Sequence, residues 1–266
     1  MSCPICKHRM NIFWRIQSYI ISKCSHCGLG LTSGTELQKG NYHRDETYKE
    51  EEKLFRNIFS KRAKIINKLM KPGKVLEIGS STGIFLSLLK DKSWQVKGIE
   101  PSQVAAKIAE ERGIPVLVEG FEKIILTEKF DLIILNHTLE HLENPVSIIK
   151  KTKSLLVPKG YLYIDLPNFG SLSAKIMKKR WPLLLPREHL WHFTEKSLRI
   201  LLEDFKVVYV NKSSGIWDYG NPIKGLAQSL LGRKKRFFKE LITAKPSWVL
   251  SQLGKGSDLM VIARKR

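Results

Sequence analysis

A regular alternation of short apolar runs with helix-length segments fills the middle of the chain, between residues 74 and 166. The apolar runs are rich in β-branched residues and are predicted to be strands, at 74–78, 96–100, 116–119, 130–135 and 160–166. The segments between them are predicted to be helices, at 83–90, 103–112 and 146–155. Because strand–helix alternation produces a parallel sheet covered by helices, the pattern predicts an α/β fold that binds its ligands at the carboxyl ends of the strands.

A glycine-containing turn directly follows the first predicted strand, in the run Glu77-Ile78-Gly79-Ser80-Ser81-Thr82-Gly83. Glycine lets the backbone turn tightly and approach a ligand closely. Glu100 ends the second predicted strand, which is where an acid binds ribose hydroxyls in nucleotide-binding sheets. A glycine turn alone is often only structural, and this one lacks the G-x-G-x-x-G spacing of dinucleotide-binding proteins. The turn and the acid together indicate an adenosine-containing cofactor.

All four cysteines lie near the start of the sequence and form two C-x-x-C pairs, Cys3 with Cys6 and Cys24 with Cys27. Two such pairs on a short hairpin complete a tetrahedral sulfur site for Zn2+, and Gly28 allows the left-handed backbone that such turns use. Disulfides are disfavoured because no apolar leader is visible, and a redox dithiol is disfavoured because no βαβ unit surrounds either pair. His8 and His26 are alternative ligands, but four sulfurs already close the shell. We therefore expect a structural zinc ribbon.

The net charge of +21 is concentrated in the flanks of the sequence. Residues 1–70 carry a net charge of +7, residues 71–170 carry +1 and residues 171–266 carry +13. Basic flanks suit an anionic partner, either a nucleic acid or an acidic membrane surface. The alternative is that the charge is solvated and has no partner.

Several runs resemble known motifs. Residues 77–83 and 98–102 resemble the first motif and the ribose-binding loop of class I S-adenosylmethionine-dependent methyltransferases. Three further segments resemble the ubiquinone-O-methyltransferase-like group, which includes methyltransferase types 11, 12 and 23; they are residues 130–142, residues 156–162 and His189-Leu190-Trp191-His192-Phe193-Thr194 with Ser197-Leu198. A ribbon followed by Cys27-Gly28-Leu29 and a later tyrosine, here Tyr42, also occurs in that group.

The resemblance implies a Rossmann-like α/β fold with a seven-stranded sheet and a small N-terminal zinc ribbon. Thr194 is predicted to cap a helix that leads to a sixth strand at 205–211, and a seventh, antiparallel strand is expected at 258–264. The implied division of the chain is a ribbon at 1–35, a helical linker at 36–70 and a methyltransferase domain at 71–266, with an insertion at 212–257 that the fold does not require.

The resemblance also implies S-adenosyl-L-methionine as the cofactor. The residues implied to bind it lie at the ends of the first four strands: Glu77, Gly79, Ser81, Gly83, Glu100, Pro101, Gly120, Phe121, Asn136 and His137. Ser81 departs from the family, which usually has glycine at this position. The loop after the third strand lacks the aspartate that many relatives use for adenine, so that Phe121 either stacks on adenine or belongs to the core.

Methyl transfer to a hydroxyl group requires alignment of the two reactants and a base that takes a proton. The candidates follow the fourth strand: His141, His137 and Glu140. The two histidines are one helical turn apart and titrate near neutral pH. The alternatives are a divalent cation held with Glu140, or only a structural hydrogen bond from His141. His189 and His192 are interpreted as substrate-side residues, although their spacing also occurs in metal sites.

The insertion combines an apolar stripe with a cluster of cations. The stripe consists of Ile223, Leu226, Ala227, Leu230 and Leu231, and Arg233-Lys234-Lys235-Arg236 follows it. This combination is typical of a helix lying in a membrane interface, to which residues 174–185 could add; the alternative is a lid helix packed on the domain.

Three functions are compatible with these features. The leading hypothesis is O-methylation of a small, sugar or lipid-linked acceptor, as in cell-surface polysaccharide or isoprenoid-quinone synthesis, by a cytoplasmic protein that contacts the inner face of an acidic membrane. The second is a zinc-ribbon RNA methyltransferase; the ribbon and the charge of +21 favour it, and the absence of an Asn-Pro-Pro-Tyr-type motif after the fourth strand disfavours it. The third is a decayed cofactor-binding module with Ser81 as the lesion. The sequence predicts neither the acceptor nor the oligomeric state.

Overall fold

A computed structural model describes residues 1–34, 52–213 and 253–266. Tyr42, most of the N-terminal half of the expected linker, and the stripe and cation cluster of the insertion lie outside these residues. The described strands are β1 (Met10–Ile16), β2 (Tyr19–Cys24), β3 (Gly30–Ser33), β4 (Lys74–Ile78), β5 (Gln95–Ile99), β6 (Val116–Leu117), β7 (Phe130–Asn136), β8 (Leu156–Pro167), β9 (Trp191–His192), β10 (Phe205–Ser213) and β11 (Asp258–Lys265). The described helices are α1 (Glu52–Leu69), α2 (Ile84–Lys90), α3 (Gln103–Glu111), α4 (Pro145–Leu155), α5 (Leu172–Met177) and α6 (Glu195–Leu201), with a 3-10 turn at Lys178–Arg180.

The larger sheet has seven strands in the order β10-β11-β8-β7-β4-β5-β6. The β4, β5, β6, β7 and β8 pairings are parallel, whereas β11 runs antiparallel to both β8 and β10. This is the Rossmann-like α/β architecture that the sequence predicts, including the antiparallel last strand. Ile78 pairs with both Ile99 and Leu135, so the carboxyl ends of three neighbouring strands lie level at one edge.

Alternating side chains of the central strands fill two cores, one on each face of the sheet. Leu76 and Ile133 belong to the first core, and Val75 and Leu132 belong to the second. The second core is closed by α1, whose buried side chains are Ile58, Phe59, Ala63 and Ile66. This period-two pattern explains why the central strands read as nearly continuous apolar runs: both faces are covered.

Two predicted strands have different lengths in the structure. The third ends at Leu117, because the amide of Glu119 turns back to the carbonyl of Leu117. The fifth begins at Leu156, four residues earlier than expected, because Leu156 pairs with Phe130 before a register shift. A turn-type lysine and glycine, at positions 159 and 160, made this part of the sequence look like a loop.

The smaller sheet has the order β1-β2-β3-β9 and is antiparallel. Its first three strands come from the cysteine-containing segment, whereas β9 follows β8 of the large sheet in the sequence. Cys3, Cys24 and Cys27 belong to the same hydrophobic core as Leu76 and Ile133 of the large sheet. The division at residue 35 stays a prediction, but the ribbon and the large sheet share one core.

No helix within the described parts of the chain combines the length and the apolar character that crossing a bilayer requires.

Candidate active site and metal centre

The turn after β4 is tight and has a left-handed backbone at three positions. Gly79 and Gly83 have φ values of 74° and 72°, and Ser81 between them has a φ of 45°. A Cβ atom on Gly79 would lie 2.7 Å from Thr138 Oγ1, so a larger residue is excluded there by both space and backbone conformation. The left-handed φ of Ser81 is a physical reason for the glycine that the related family usually has at this position.

Glu100 is held at the same edge by two backbone amides. Its Oε2 accepts a hydrogen bond from the amide of Ser81 at 2.8 Å, and its Oε1 accepts one from the amide of Ser102 at 2.9 Å. The carboxylate is buried, whereas the following Pro101 is exposed. The turn after β4 and the acid after β5 are therefore joined through these amides, and ribose binding by Glu100 stays a prediction.

Arg62 reaches this edge from α1, and sequence reasoning missed it. Its guanidinium donates a hydrogen bond to Asn136 Oδ1 at 2.9 Å and lies 2.5 Å from Asp165 Oδ2. One feature of the sequence could have indicated Arg62: it lies one helical turn from Phe59 and Ile66, which places a cation on the buried face of an amphipathic helix.

Glu77 is a buried acid of this edge, 2% exposed. Burial, and then the charge of Glu100, raises the pKa of Glu77 well above its usual value, while the Arg62 guanidinium acts in the opposite direction. Burial of this kind disfavours the charged form of a carboxyl group relative to its neutral form.

The segment after β7 carries the three candidate catalytic residues. His137 has a left-handed φ of 50°, and its Nδ1 lies 3.4 Å from Oε1 of the buried Glu140. Burial opposes ionisation of Glu140, but His137, His141 and His189 outweigh burial and lower its pKa to about 2. Burial on its own would lower the pKa of His137. The carboxylate of Glu140 outweighs burial, so the pKa of His137 lies above its usual value. The two side chains are thus arranged as an ion pair.

His141 and His189 complete this cluster. Nδ1 of His141 donates a hydrogen bond to the carbonyl of Glu188 at 2.9 Å, and the rings of the two histidines meet edge to face at 4.9 Å. The ligand atoms of Glu140, His141 and His189 all lie within 4.8 Å of one another, a spacing that suits one cation. The sequence-predicted catalytic residues and one predicted substrate residue thus lie together; their roles stay predictions.

His192, the other predicted substrate residue, lies against the ribbon. It is buried in β9, and its Nε2 is 2.7 Å from Thr32 Oγ1 of β3. Burial, and then the charge of His189, lowers the pKa of His192 to about 3, so the ring is neutral at neutral pH.

The loop after β6 contains Gly120 and Phe121. Of the two roles considered for Phe121, the structure places its ring in the core, 2% exposed and 4.5 Å from Lys151 Nζ. The amide of Gly120 donates a hydrogen bond to Glu119 Oε1. Binding of the cofactor by either residue stays a prediction.

The four cysteine sulfurs cluster at the base of the β1–β2 hairpin. Cys3 Sγ and Cys27 Sγ are 3.7 Å apart, Cys6 Sγ and Cys24 Sγ are 3.4 Å apart, and all four lie within 4.8 Å of one another. Four thiolates at about 2.3 Å from one Zn2+ ion are separated by about 3.8 Å, which matches this spacing. Gly28 has a φ of 74°, as the sequence predicts.

The chain is similar to known methyltransferases in sequence and in fold. Residues 50–210 match the family model of the methyltransferase domain. The ubiquinone biosynthesis O-methyltransferase of Actinobacillus pleuropneumoniae is 36% identical over 107 residues, which cover 36% of this chain and 46% of the relative. An uncharacterized methyltransferase of Staphylococcus carnosus is 32% identical over 196 residues, which cover 72% of this chain and 89% of the relative.

The solved structure of an S-adenosylmethionine-dependent methyltransferase of Thermotoga maritima, a possible histamine N-methyltransferase, superimposes with a TM-score of 0.59. It is 19% identical and covers 83% of this chain and 95% of that one, so the likeness concerns the fold. The chain spans about half the length of the first curated relatives it matches, between 45% and 58% of each.

Proposed function

The chain belongs to the methyltransferase-domain family, and on that premise we propose that it transfers the methyl group of S-adenosylmethionine to a hydroxyl group of a small, sugar or lipid-linked acceptor. The observation that carries the proposal is the convergence of three strand ends at one edge. There the Gly79 turn, the carboxylate of Glu100 and the segment from Asn136 to His141 meet.

The residues of this edge fit the parts of the cofactor. Glu100, which the amides of Ser81 and Ser102 hold at the end of β5, would accept hydrogen bonds from the ribose hydroxyls, and the turn from Gly79 to Gly83 would lie beside the chain that bears the sulfonium. Arg62 would supply a cation for the carboxylate of the methionine part. Its guanidinium is held in place by the hydrogen bond to Asn136 and the ion pair with Asp165. When bound, the cofactor supplies a methyl group that is already activated by the positive sulfur.

The protein must also take the proton of the acceptor hydroxyl. His141 is the preferred base, because its Nδ1 hydrogen bond to Glu188 places the lone pair of the neutral ring on Nε2. The histidines around Glu140 lower its pKa, so that this buried carboxylate is available to balance positive charge on His137. A divalent cation held by Glu140, His141 and His189 is the second way to lower the pKa of the hydroxyl group.

The cysteine cluster holds Zn2+ as a structural ion in this proposal. The spacing of the four sulfurs supports it, and thiolate ligands select zinc among the common divalent metals.

A basic, apolar surface suits an acceptor that resides in an acidic membrane. It consists of Phe13 on the hairpin and Lys175-Ile176-Met177-Lys178-Lys179-Arg180 on α5 and the turn after it; we refer to it as the hairpin–α5 surface. Ile176 is 69% exposed, and residues 1–34 and 169–187 contain no acidic side chain. Exposed aliphatic groups among cations match a lipid interface better than a nucleic-acid backbone.

The test uses methyl-labelled S-adenosylmethionine and fractionated cell extract. Label in the lipid or glycan fraction that is lost in a His141→Gln variant supports the proposal. Label in RNA would replace it with the RNA methyltransferase hypothesis. Cofactor binding by the wild type without label in any fraction, with and without added Mg2+, would favour the decayed module.

A further inference from the structure

We infer that the cysteine ribbon positions residues 186–194 over the Glu140 cluster, and that Thr32 and His192 are the positioning residues that link the two. The ribbon would thereby be a structural component of the acceptor side of the site. The inference rests on the proposed function only in naming that side; the contacts themselves do not depend on it.

The third strand of the ribbon, β3, pairs with this segment. Gly30 and Leu31 pair with His192 and Trp191, and the amide of Thr32 donates a hydrogen bond to the carbonyl of Leu190 at 2.9 Å. A Cβ atom on Gly30 would lie 2.9 Å from the Cβ of His192, so the two strands touch more closely than any larger residue would allow. β3 therefore holds the segment at residues 190–192.

A second set of contacts starts at the metal-binding turn itself. Thr194 Oγ1 donates a hydrogen bond to the carbonyl of Cys27 at 2.8 Å, and Lys196 Nζ donates one to the carbonyl of His26 at 2.7 Å. Thr194 is also the N-cap of α6, which anchors the end of the segment in the large domain. A displacement of the turn that carries Cys27 would therefore displace Thr194, the last residue of this segment, directly.

The other side of the segment touches the candidate catalytic cluster. The amides of Leu190 and Trp191 both donate to the carbonyl of Glu140, at 2.9 and 3.0 Å, and Glu188 accepts the hydrogen bond of His141 described above. His189 lies between these contacts, with its Nδ1 donating to the carbonyl of Leu183 at 3.1 Å. Two residues thus separate the ribbon contact of His192 from the cluster contact of His189.

The buried Thr32–His192 hydrogen bond is the side-chain link in this chain of contacts. It joins Oγ1 and Nε2 at 2.7 Å, and both residues are almost fully buried. Removal of the hydroxyl leaves a ring nitrogen without its partner inside the core, which favours a different ring position. Because the ring of His192 lies 6.3 Å from that of His189, the displacement would be felt there.

The experiment compares histidine ring signals by NMR in zinc-loaded protein carrying 13C-labelled histidine, without cofactor or acceptor. Thr32→Val is expected to shift the signals of His192, His189 and His141, and Thr32→Ser is expected to restore them because it keeps the hydroxyl. The matched control is Ser33→Ala, which removes a neighbouring hydroxyl whose hydrogen-bond partner within the described residues is the carbonyl of Ile20, on the ribbon itself. Affinity for S-adenosylhomocysteine should stay within about twofold in all three variants.

Unchanged His141 and His189 signals in Thr32→Val, or equal shifts in Ser33→Ala, would overturn the inference. Should Thr32→Val fail to fold, hydrogen exchange of the wild type with and without a chelator gives the second test. Zinc removal should then expose the amides of residues 188–194 while β4, β5 and β7 stay protected; equal protection of 188–194 in both samples would also overturn it. Failure of the proposed function would instead be seen as absent S-adenosylhomocysteine binding by the wild type.

Discussion

Ser81 holds a left-handed backbone conformation between two glycines, and its hydroxyl oxygen is buried with no hydrogen-bond partner among the described residues. Ser81→Gly should therefore stabilise the protein by up to about 1 kcal/mol, because relief of about 1–2 kcal/mol of strain exceeds the roughly 0.5–1 kcal/mol entropy cost of glycine. Denaturant unfolding measures the change. Ser81→Ala keeps the strain and serves as the control; a Ser81→Gly protein less stable than wild type would contradict the account.

The ion pair of His137 and Glu140 predicts a pH dependence of stability. The raised pKa of His137 makes its contribution complete below its usual value of 6.5 and lost as pH rises through the folded value. The lowered pKa of Glu140 makes its contribution complete above 4.5 and lost as pH falls towards about 2. Both groups therefore stabilise the fold between about pH 4.5 and 6.5.

His137→Asn is the variant that measures this pair, because asparagine tolerates the left-handed φ. The difference in unfolding free energy between wild type and variant should be largest between about pH 4.5 and 6.5 and should shrink as the pH rises through the raised pKa of His137. A difference that is the same across this range would show that the pair is not charged in the folded protein.

At the scale of the element, most strands could be predicted from the sequence, because both faces of the central sheet are apolar and the runs are punctuated by glycine. The two-residue strand β9 could not be predicted, since its pairing with β3 depends on residues about 160 positions away. The same reason hid Arg62, whose partners Asn136 and Asp165 are on other elements. Local patterns predicted the cysteine turns and the capping role of Thr194, because the capping bonds between Thr194 and Ser197 lie within one helical turn.

The ribbon gives a prediction at this scale. Metal analysis of the purified protein should find one zinc per chain, and Cys3→Ser should lose it together with protection of β1 and β2 against proteolysis. Ser2→Ala, next to the ligand but with a hydroxyl that donates to the carbonyl of Lys7, is the control and should retain the metal. A folded, zinc-free wild type would refute the metal site.

At the scale of the whole molecule, the charge of +21 and the exposed Ile176 together predict membrane binding. The protein should sediment with vesicles that contain phosphatidylglycerol and not with phosphatidylcholine alone. Ile176→Ser with Met177→Ser should weaken this binding, whereas the control Ile125→Ser, an exposed isoleucine outside the hairpin–α5 surface, should not. Tight binding to RNA that falls steeply with salt, without vesicle binding, would contradict the choice of partner.

The central claim is that the edge formed by the Gly79 turn and Glu100 binds S-adenosylmethionine, and calorimetric titration with S-adenosylhomocysteine tests it most directly. We expect the wild type to bind with one site per chain and Glu100→Ala to lose about 1.5–3 kcal/mol of binding free energy, the range for hydrogen bonds to a charged group. Glu111→Ala, an exposed acid at the end of α3, should bind as the wild type does. No binding by the wild type, or unchanged affinity in Glu100→Ala, would contradict the account.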